Sequence, residues 1–352
     1  MNDEEPVLLH TEGHILHITL NRPRALNALT HTMVRGIDEA LTMAADDDAV
    51  TAVVIAGAGE RGLCAGGDIR SIYEDARAGR RASVDFWRDE YRLNARIARF
   101  PKPYVALMDG IVMGGGVGVS AHGDVRVVTE RSRVAMPETG IGFVPDVGGT
   151  YLLAAAPGEL GTHLALTGRA VGAADALLCG LADHFVPSDR LADLTSALAA
   201  AGTPDEVTAT VRRYATDAPD GELAGHREWV DACYAADTVE EIIDRLVDSG
   251  VPAAKETAAE LLAASPTALK VTLAAVRRTK RLGSLEAALD QEFRVSCHAF
   301  SGHDLVEGVR ARIIDKDRAP RWSPAEPGDV TAADVARHFE PLGDEELGLA
   351  PA

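Results

Sequence analysis

At 352 residues with 46% hydrophobic content, the chain is long enough to bury at least one sizeable core, although length alone does not fix the number of domains. Its formal net charge of -19 argues against nucleic-acid binding, because neutralising phosphates requires clustered lysine and arginine on a positive surface. Its 4 cysteines lie far apart, so neither a zinc site nor a dense disulfide framework is indicated. We therefore expect reduced thiols and no metal.

The start of the sequence is acidic, with Asp3, Glu4 and Glu5, and it lacks the positive leader and apolar stretch of a secretory signal. No apolar run approaches the roughly 18 residues that are needed to span a bilayer. We therefore expect a soluble, cytoplasmic protein without a membrane partner.

The first predicted elements are a hairpin, a helix and a strand. His14–Leu20 alternates apolar and polar residues after a turn at 11–13, which predicts the hairpin. Apolar residues spaced along one face predict an amphipathic helix over Thr30–Ala45. The apolar run Val50–Gly57 predicts a strand after it.

Strands and helices continue to about Val186, after which the pattern becomes almost purely helical. The periodicity predicts a long helix over Arg81–Arg99 and strands over Tyr104–Met108 and Val125–Thr129. The shift after Val186 predicts four segments: a core of residues 1–190, a helical insert or connector of residues 191–251, a helical C-terminal unit of residues 252–322, and an acidic peripheral tail of residues 323–352.

Capping residues refine the C-terminal half. Ser265 followed by proline, and Ser284, are typical of helix N-caps. Asp304 with Glu307 resembles a capping box. One short helix is expected in the tail, near Thr331–Phe339.

Two glycine-rich turns could present backbone amides to a ligand. Ile111–Ser120 contains three successive glycines between a strand and a predicted helix, and unpaired amides at a helix start favour an oxyanion. Close strand–helix packing is the alternative, and Val119 breaks the dinucleotide fingerprint. A second turn, 63–69, follows an earlier strand; Cys64 within it has no partner histidine beside it and is expected to be a buried structural thiol.

Carboxylates supply the candidate acid–base groups. Glu138 and Asp146 lie in one loop, Met136–Thr150, where partial desolvation would raise their proton affinity toward that of a general base. Either acid could instead cap a helix or turn. Glu90 lies at helical spacing from Trp87, so it faces either a pocket or solvent.

Other catalytic and metal-binding patterns are weak or missing. His10, His14 and His17 cluster in sequence, but a hairpin with a turn between them need not bring them together. The G-x-S-x-G and H-E-x-x-H patterns do not occur, so serine-hydrolase and zinc-protease chemistry is disfavoured.

Four ordered motifs resemble the crotonase (enoyl-CoA hydratase/isomerase) superfamily. They are NRPRALNAL at 21–29, CAGGD at 64–68, MGGGVG at 113–118 and MPETGIGFVPDVGG at 136–149. The resemblance covers roughly residues 7–322. It implies an α/β fold with a spiral core of β-β-α turns over residues 1–190 and a helical C-terminal unit, usually assembled around trimers.

The same resemblance implies a set of site residues. The amides of Ala65 and Gly115 would form an oxyanion hole, and coenzyme A would be part of the substrate, so that no separate cofactor is implied. The residues implied in holding coenzyme A are Arg24, Ala25, Leu26, Ala65, Gly66, Asp68 and Ile69, of which Arg24 is the choice for its phosphates.

One departure from the hydratases indicates a narrower resemblance. Hydratases commonly have a glutamate where this chain has Gly118, and glycine where it has Asp146, which puts addition of water to a double bond in doubt. Together with KPYVAL at 102–107 and EGVRARIIDKDRAPRW at 307–322, these positions resemble the 3-hydroxyisobutyryl-CoA hydrolases.

That narrower resemblance implies substrate contacts by Glu90, Gly115, Glu138 and Asp146. The implied reaction is hydrolysis of an acyl-CoA thioester to 3-hydroxyisobutyrate and free coenzyme A in valine breakdown. Two alternatives stay open: an enoyl-CoA hydratase or isomerase acting through Glu138 alone, and a non-catalytic acyl-CoA binder.

Overall fold

The computed structural model describes residues 5–350, so Asp3 and Glu4 lie outside the described residues. Contacts divide the chain into two units. The first comprises the chain up to Gly67, Arg92–Ala135 and Val171–Gly221. The second comprises Asp68–Tyr91, Met136–Ala170 and the chain from Glu222 onward.

The strands all belong to the first unit. Within residues 5–350 they are β1 (Val7–Glu12), β2 (Ile15–Leu20), β3 (Ala52–Gly57), β4 (Gly62–Cys64), β5 (Tyr104–Met108), β6 (Ile111–Met113), β7 (Val125–Val128), β8 (Arg133–Ala135) and β9 (His184–Phe185). One sheet has the order β1-β2-β3-β5-β7-β9, and the other has the order β4-β6-β8. Among the pairs of named strands in the described residues, β1–β2 is antiparallel and the others are parallel.

The helices of the described residues follow in chain order. They are α1 (His31–Asp46), α2 (Ile69–Arg77), α3 (Ala82–Ala98), α4 (Gly115–Gly118), α5 (Gly149–Ala154), α6 (Leu160–Thr167), α7 (Ala173–Leu178), α8 (Leu191–Leu198), α9 (Pro204–Tyr214), α10 (Leu223–Tyr234), α11 (Val239–Asp248), α12 (Pro252–Ala263), α13 (Pro266–Leu282), α14 (Leu285–Phe300), α15 (His303–Val309) and α16 (Ala332–Arg337).

The order of the strands confirms the expected spiral. The successive pairs β3–β4, β5–β6 and β7–β8 each place one strand in each sheet. The β1–β2 hairpin and helix α1 also form where the sequence predicts them, and Thr30 caps α1 by accepting a hydrogen bond from the Met33 N–H. The helix predicted after the glycine run is present, but α4 is only one turn long.

The core of the first unit explains why its strands are apolar. Side chains from β2, β3, β5 and β7 pack with those of α8 and α9 in one buried cluster, because parallel strands covered by helices lose contact with water. Its fully buried members include Ile15, Ala52, Val105, Val127, Leu194 and Val207.

The second unit is helical, and its caps mostly follow the sequence. Ser265 and Ser284 cap α13 and α14 through their hydroxyl oxygens, as predicted. The capping box at Asp304 and Glu307 is wrong, because Gly302 is the N-cap of α15. The Asp304 carboxylate instead accepts hydrogen bonds from the Ser265 hydroxyl and the Ser323 N–H.

The tail is packed rather than peripheral. Val330, Phe339 and Leu347 are buried within the second unit, and Thr331 caps α16 with a complete capping box. The N–H groups of Leu349 and Ala350 donate to the Asp290 carboxylate. The acidic composition of the tail concealed these widely spaced apolar side chains, so the expectation of a peripheral segment is wrong.

The predicted boundaries at residues 190, 251 and 322 do not coincide with those of the two units. Residues 191–251 are helical, as expected, but α8 and α9 belong to the first unit and α10 and α11 to the second. The predicted domains were continuous segments, whereas each observed unit combines three separate parts of the chain.

Within the described residues, no single helix is long and apolar enough to cross a membrane. The pair α12 and α13, bent by 113°, passes that test together by length and composition only.

Candidate active site

The side chain of Asn27 holds the turn at residues 22–29 in the first unit. This side chain is buried; it accepts a hydrogen bond from the Arg22 N–H at 2.9 Å and donates to the carbonyls of Ala58 and Gly62, both at 3.1 Å. Leu26 and Asn27 have left-handed φ angles of 54° and 55°. Such angles are uncommon for residues other than glycine, so the side-chain bonds of Asn27 are needed to hold this turn.

Two backbone hydrogen bonds join this turn to the glycine-rich turn at residues 63–69. The Ala65 N–H donates to the Leu26 carbonyl at 3.0 Å, and the Leu29 N–H donates to the Gly66 carbonyl at 2.8 Å. The implied role of Ala65 as an oxyanion donor is therefore wrong in this structure, because its N–H already has an acceptor. The Gly67 N–H makes no hydrogen bond within the described chain, so Gly67 replaces Ala65 as the candidate donor.

The glycine-rich segment Ile111–Ser120 places Gly115 at the start of α4. Gly114 has a φ of 50°, and the amides of Gly115 and Gly116 have no hydrogen-bond acceptor within residues 5–350, as expected for the first turn of a helix. A Cβ on Gly116 would lie 2.3 Å from the Cys64 carbonyl oxygen. Close packing and exposed amides are thus both properties of this glycine run, and Cys64 is buried beneath it.

The residues implied in holding coenzyme A lie at or beside these loops. Arg24 and Ala25 are exposed in a short 3-10 turn, and Leu26 follows them in the first unit. Asp68 and Ile69 begin α2 in the second unit, with Asp68 at the N-cap position. Together with Gly66, their role in binding coenzyme A stays a prediction.

Four buried carboxyl groups of the second unit form what we call the acid cluster: Glu90, Glu138, Asp146 and Glu292. Their exposed fractions are 2%, 7%, 6% and 1%. Glu90 is therefore buried and does not lie on a solvent-exposed edge of its helix. Glu90 lies on α3, Glu138 begins a 3-10 turn, Asp146 precedes α5 and Glu292 lies on α14.

Two members of the acid cluster are well hydrogen-bonded. The Tyr91 hydroxyl donates to Asp146 Oδ2 at 2.7 Å and lies 2.8 Å from Ser296 Oγ. The Glu292 carboxylate accepts from the N–H groups of Gly148 at 2.6 Å and Thr150 at 2.8 Å.

The other two members retain unpaired oxygens. Glu90 Oε1 and Glu138 Oε2 are buried without a hydrogen-bond partner in the part of the chain that the structure describes. In the first unit, both polar side-chain atoms of the fully buried Asn94 are likewise unpartnered within residues 5–350. Buried polar groups are normally satisfied by protein or by ordered water, so the unpaired oxygens of Glu90 and Glu138 are candidate ligand-binding atoms of the second unit.

Burial raises the pKa of every member of the acid cluster, and the charge of Asp146 adds to this effect at the other three. Burial, followed by the charge of Asp146, holds the pKa of Glu138 and of Glu90 well above the usual range. Burial raises the pKa of Asp146 to about 7 against the opposing hydrogen bond from Tyr91, and burial raises that of Glu292 to about 8. The charge of Asp146 therefore favours the protonated forms of Glu90, Glu138 and Glu292.

Sequence reasoning missed Glu292 and the hydroxyl of Tyr91. A signal existed for Glu292: it occupies the same helical face as Leu285, Leu289 and Ser296, all three or four residues apart and all buried. An acid on such a face is unusual and could have been singled out. Glu138 and Asp146 do not act as helix caps, because Pro137 and Gly148 occupy the N-cap positions of the helices that follow.

The N-terminal histidines are arranged as a hairpin requires. His10 and His17 are cross-strand partners with ring centroids 6.2 Å apart, and His14 lies at the turn. Among the described residues, no group of three His, Cys, Asp or Glu side chains could hold a metal ion.

Comparisons with known proteins agree on the family. A family model described as enoyl-CoA hydratase/isomerase matches residues 15–339. The rat protein named 3-hydroxyisobutyryl-CoA hydrolase, mitochondrial, is 43% identical over 348 residues, which are 97% of this chain and 90% of the relative.

Two solved structures share the fold over nearly their full lengths. A carnitinyl-CoA dehydratase from Mycobacterium thermoresistibile is 53% identical with a TM-score of 0.94, over 98% of this chain and 99% of that one. An enoyl-CoA hydratase from Rhodobacter sphaeroides 2.4.1 is 44% identical with a TM-score of 0.91, over 97% and 99%. The chain described here belongs to the enoyl-CoA hydratase/isomerase family.

Proposed function

We propose that this protein is a thioester hydrolase that converts 3-hydroxyisobutyryl-CoA and water to 3-hydroxyisobutyrate and free coenzyme A. The observation that carries the proposal is the buried Glu138 carboxyl, which has an unpaired oxygen and whose pKa is raised by burial and by the charge of Asp146. Such a group can take up or release a proton during the reaction, or attack a carbonyl carbon. The rat relative, named as this hydrolase, supports the choice of substrate.

Backbone amides and Glu138 divide the work in this proposal. The N–H groups of Gly67 and Gly115, both in the first unit, stabilise the negative charge that develops on the thioester oxygen. Glu138 either removes a proton from the attacking water or attacks the carbonyl carbon itself. In both routes the C–S bond breaks and the coenzyme A sulfur leaves as a thiol after taking up a proton.

The remaining acids are assigned to recognition. Asp146, and with it Glu90, hydrogen-bonds the 3-hydroxyl group of the substrate or the attacking water. A buried carboxylate left without that partner is costly, so acyl groups that lack the hydroxyl are expected to be poorer substrates.

The cellular setting belongs to the same proposal. The described cysteines form no disulfide, which suits a reducing cytoplasm. We expect a trimer-based homo-oligomer acting in valine breakdown. The rat relative differs in that its name places it in mitochondria. Cell fractionation and light scattering of the purified protein test location and assembly.

A hydratase or dehydratase is the second candidate, because the 53% identical structure is named a dehydratase. Adding or removing water across a double bond requires groups that position the water and move two protons. Gly118, in α4, brings no side chain for this purpose, and Glu138 would have to act alone.

Thiol release and double-bond absorbance separate the two candidates. The purified protein is given 3-hydroxyisobutyryl-CoA, isobutyryl-CoA and crotonyl-CoA, with both signals recorded. Hydrolysis predicts thiol release that is fastest with the hydroxylated substrate. Rapid loss of the crotonyl-CoA absorbance without thiol would reject the hydrolase.

A single turnover in heavy-oxygen water separates the two routes of hydrolysis. A covalent route forms an anhydride with Glu138, and water attack at the Glu138 carbonyl places label in that side chain. Label confined to the released acid after one turnover is the result expected of water attack on the thioester.

A further inference from the structure

We propose that Glu292 is a positioning residue for hydrolysis: its carboxylate fixes the turn at residues 147–150 and thereby the direction in which Asp146 points. The kinetic part of this inference rests on the proposed function. The structural part concerns one loop of the second unit and can be tested without a substrate.

Glu292 binds the loop on both sides of Gly149. Its Oε2 accepts the Gly148 N–H at 2.6 Å, and its Oε1 accepts the Thr150 N–H at 2.8 Å and the Thr150 hydroxyl at 2.5 Å. With an exposed fraction of 1%, the carboxyl has no access to water that could replace these bonds. The loop amides and this carboxyl therefore depend on each other.

The turn needs such support because its backbone is unusual. Val147 has a φ of 54° and Gly148 a φ of 79°, and a positive φ is a rare conformation for a β-branched residue. The Gly149 N–H closes the turn on the Asp146 carbonyl at 2.6 Å. Conformations of this kind persist only where the surroundings fix them, and the Glu292 carboxylate supplies those contacts.

Asp146 is held from the same helix by a second route. Ser296 lies one turn after Glu292 on α14 and contacts the Tyr91 hydroxyl, which donates to the Asp146 carboxylate. Helix α14 thus holds the Asp146 side chain through Tyr91 and its backbone through Glu292. Loss of Glu292 is expected to loosen one of these two supports.

Two acceptor oxygens and the shape of a carboxyl group are both required. Both oxygens accept backbone N–H groups, so the amide nitrogen of a glutamine would face one of these donors with hydrogens of its own. Glu292→Gln is therefore expected to release either Gly148 or Thr150. Thr150→Val is a milder change, because it keeps the N–H bond to Glu292 and removes the hydroxyl contacts with Glu292 and Thr279. It replaces Glu292→Gln if that variant does not fold.

Asp290→Asn is the matched control. Asp290 lies on the same helix, is also buried, and accepts two backbone N–H groups, but from Leu349 and Ala350 of the tail rather than from the Asp146 loop. It reports the general cost of such a change on α14. We expect its kcat to stay within about twofold of that of the parent protein, because the hydrogen bonds of Asp290 hold the tail and not the Asp146 loop.

A double-mutant cycle with Asp146→Asn tests whether Glu292 acts through Asp146. Glu292→Gln is expected to lower kcat by about tenfold or more, because a displacement of about 1 Å can cost on the order of 100-fold. The same change in the Asp146→Asn protein is expected to have an effect of less than about twofold. The proposal would be overturned if Glu292→Gln lowered kcat by the same factor in the parent and in the Asp146→Asn protein. An unchanged kcat in Glu292→Gln would also overturn it.

Hydrogen exchange of the Gly148 and Thr150 amides provides the readout that needs no activity. Exchange in the peptide covering residues 143–154 is expected to accelerate in Glu292→Gln and to stay at the parent rate in Asp290→Asn. Unchanged exchange in Glu292→Gln refutes the positioning role even if the protein hydrolyses thioesters. If the parent protein hydrolyses none, the proposed function fails, and the exchange result alone decides the role of Glu292.

Discussion

The carboxyl groups of Glu138 and Asp146 are chemically alike, but the structure gives them different environments. Asp146 accepts a hydrogen bond from Tyr91, which favours its charged form, whereas Glu138 Oε2 has no partner within the described residues. The charge of Asp146 in turn raises the pKa of Glu138. The hydrogen bond from Tyr91 thus favours the charged form of Asp146, and the charge of Asp146 favours the protonated form of Glu138. This difference separates recognition from proton transfer.

Replacing Asp146 by asparagine should shift the pH dependence of hydrolysis to lower pH. Glu138 must lose its proton to act as base or nucleophile, so kcat/KM of the parent protein is expected to rise with pH. Removing the charge of Asp146 lowers the pKa of Glu138, and the rising limb then moves toward acid. Thiol release measured from pH 5 to 9 gives the midpoint, with Asp290→Asn as the control. A midpoint that is unchanged or higher contradicts this assignment.

At the scale of elements, α4 and the end of β4 must approach each other closely. A Cβ on Gly116 would lie 2.3 Å from the Cys64 carbonyl oxygen, closer than real Cβ atoms come to backbone. The amide of Gly115 depends on that approach, because it lies at the start of the same helical turn.

Gly116→Ala should therefore abolish most of the hydrolysis and destabilise the protein by about 1–3 kcal/mol through overpacking. Gly225→Ala is the matched control, since its Cβ would meet nothing within 4 Å. That change, on helix α10, is expected to be neutral or to stabilise by up to about 1 kcal/mol. Urea unfolding and thiol release measure both effects, and equal behaviour of the two variants would contradict the close approach.

The tail is an element that stability measurements should reveal. Phe339 packs with Val144, Val271 and Val295 in the core of the second unit, under the guanidinium of Arg278. Phe339→Ala is expected to lower the free energy of unfolding by about 3 kcal/mol. Leu262→Ala, at an exposed position, should change it by less than about 0.5 kcal/mol. A negligible effect of Phe339→Ala would mean that the tail does not contribute to the core.

Local patterns predicted the elements well, and tertiary contacts explain the failures. Apolar patterns were sufficient for the hairpin, α1, α3 and the strands β3, β5 and β7. The short strands β4, β6, β8 and β9, of two or three residues each, were not predicted individually. The amide of Ala65 was misassigned because its acceptor, the Leu26 carbonyl, lies 39 positions earlier in the chain and is reached only through the turn that Asn27 holds. Glu292 was missed because it lies 146 positions from Asp146 and meets its loop only in the folded chain.

At the scale of the whole molecule, the acid cluster links stability to pH. Asp146 and Glu292 have folded-state pKa values of about 7 and about 8, above the usual values of about 4 in an unfolded chain. The folded protein therefore binds more protons than the unfolded one up to about pH 8, and its stability falls as pH rises through these values. His163 and His338, with pKa values lowered by burial to about 3 and about 4, act in the opposite direction only below about pH 6.5.

The free energy of unfolding should consequently decrease between pH 7 and about 8.5. Urea unfolding at several pH values gives the slope, and Asp146→Asn and Glu292→Gln should each make it shallower because they remove a group that titrates in this window. Asp290→Asn should leave the slope unchanged. Stability that rises with pH in this window, or equal slopes in all variants, would contradict the raised pKa values.

The division into two units could also not be predicted from patterns along the sequence. Each unit collects three separate parts of the chain, and α3 contributes residues to both. Composition changes along the chain, such as the shift to helix after Val186, therefore mark changes of secondary structure rather than the borders of the units.

The most direct test of the account is thiol release from 3-hydroxyisobutyryl-CoA by the parent protein and by Glu138→Gln. Glutamine keeps the size of the side chain but can neither take up a proton nor attack the carbonyl effectively, so the rate is expected to fall by about 100-fold or more. Unchanged thiol release in the variant would contradict the central role of Glu138, and absence of release by the parent protein would identify a binder or an enzyme of another reaction.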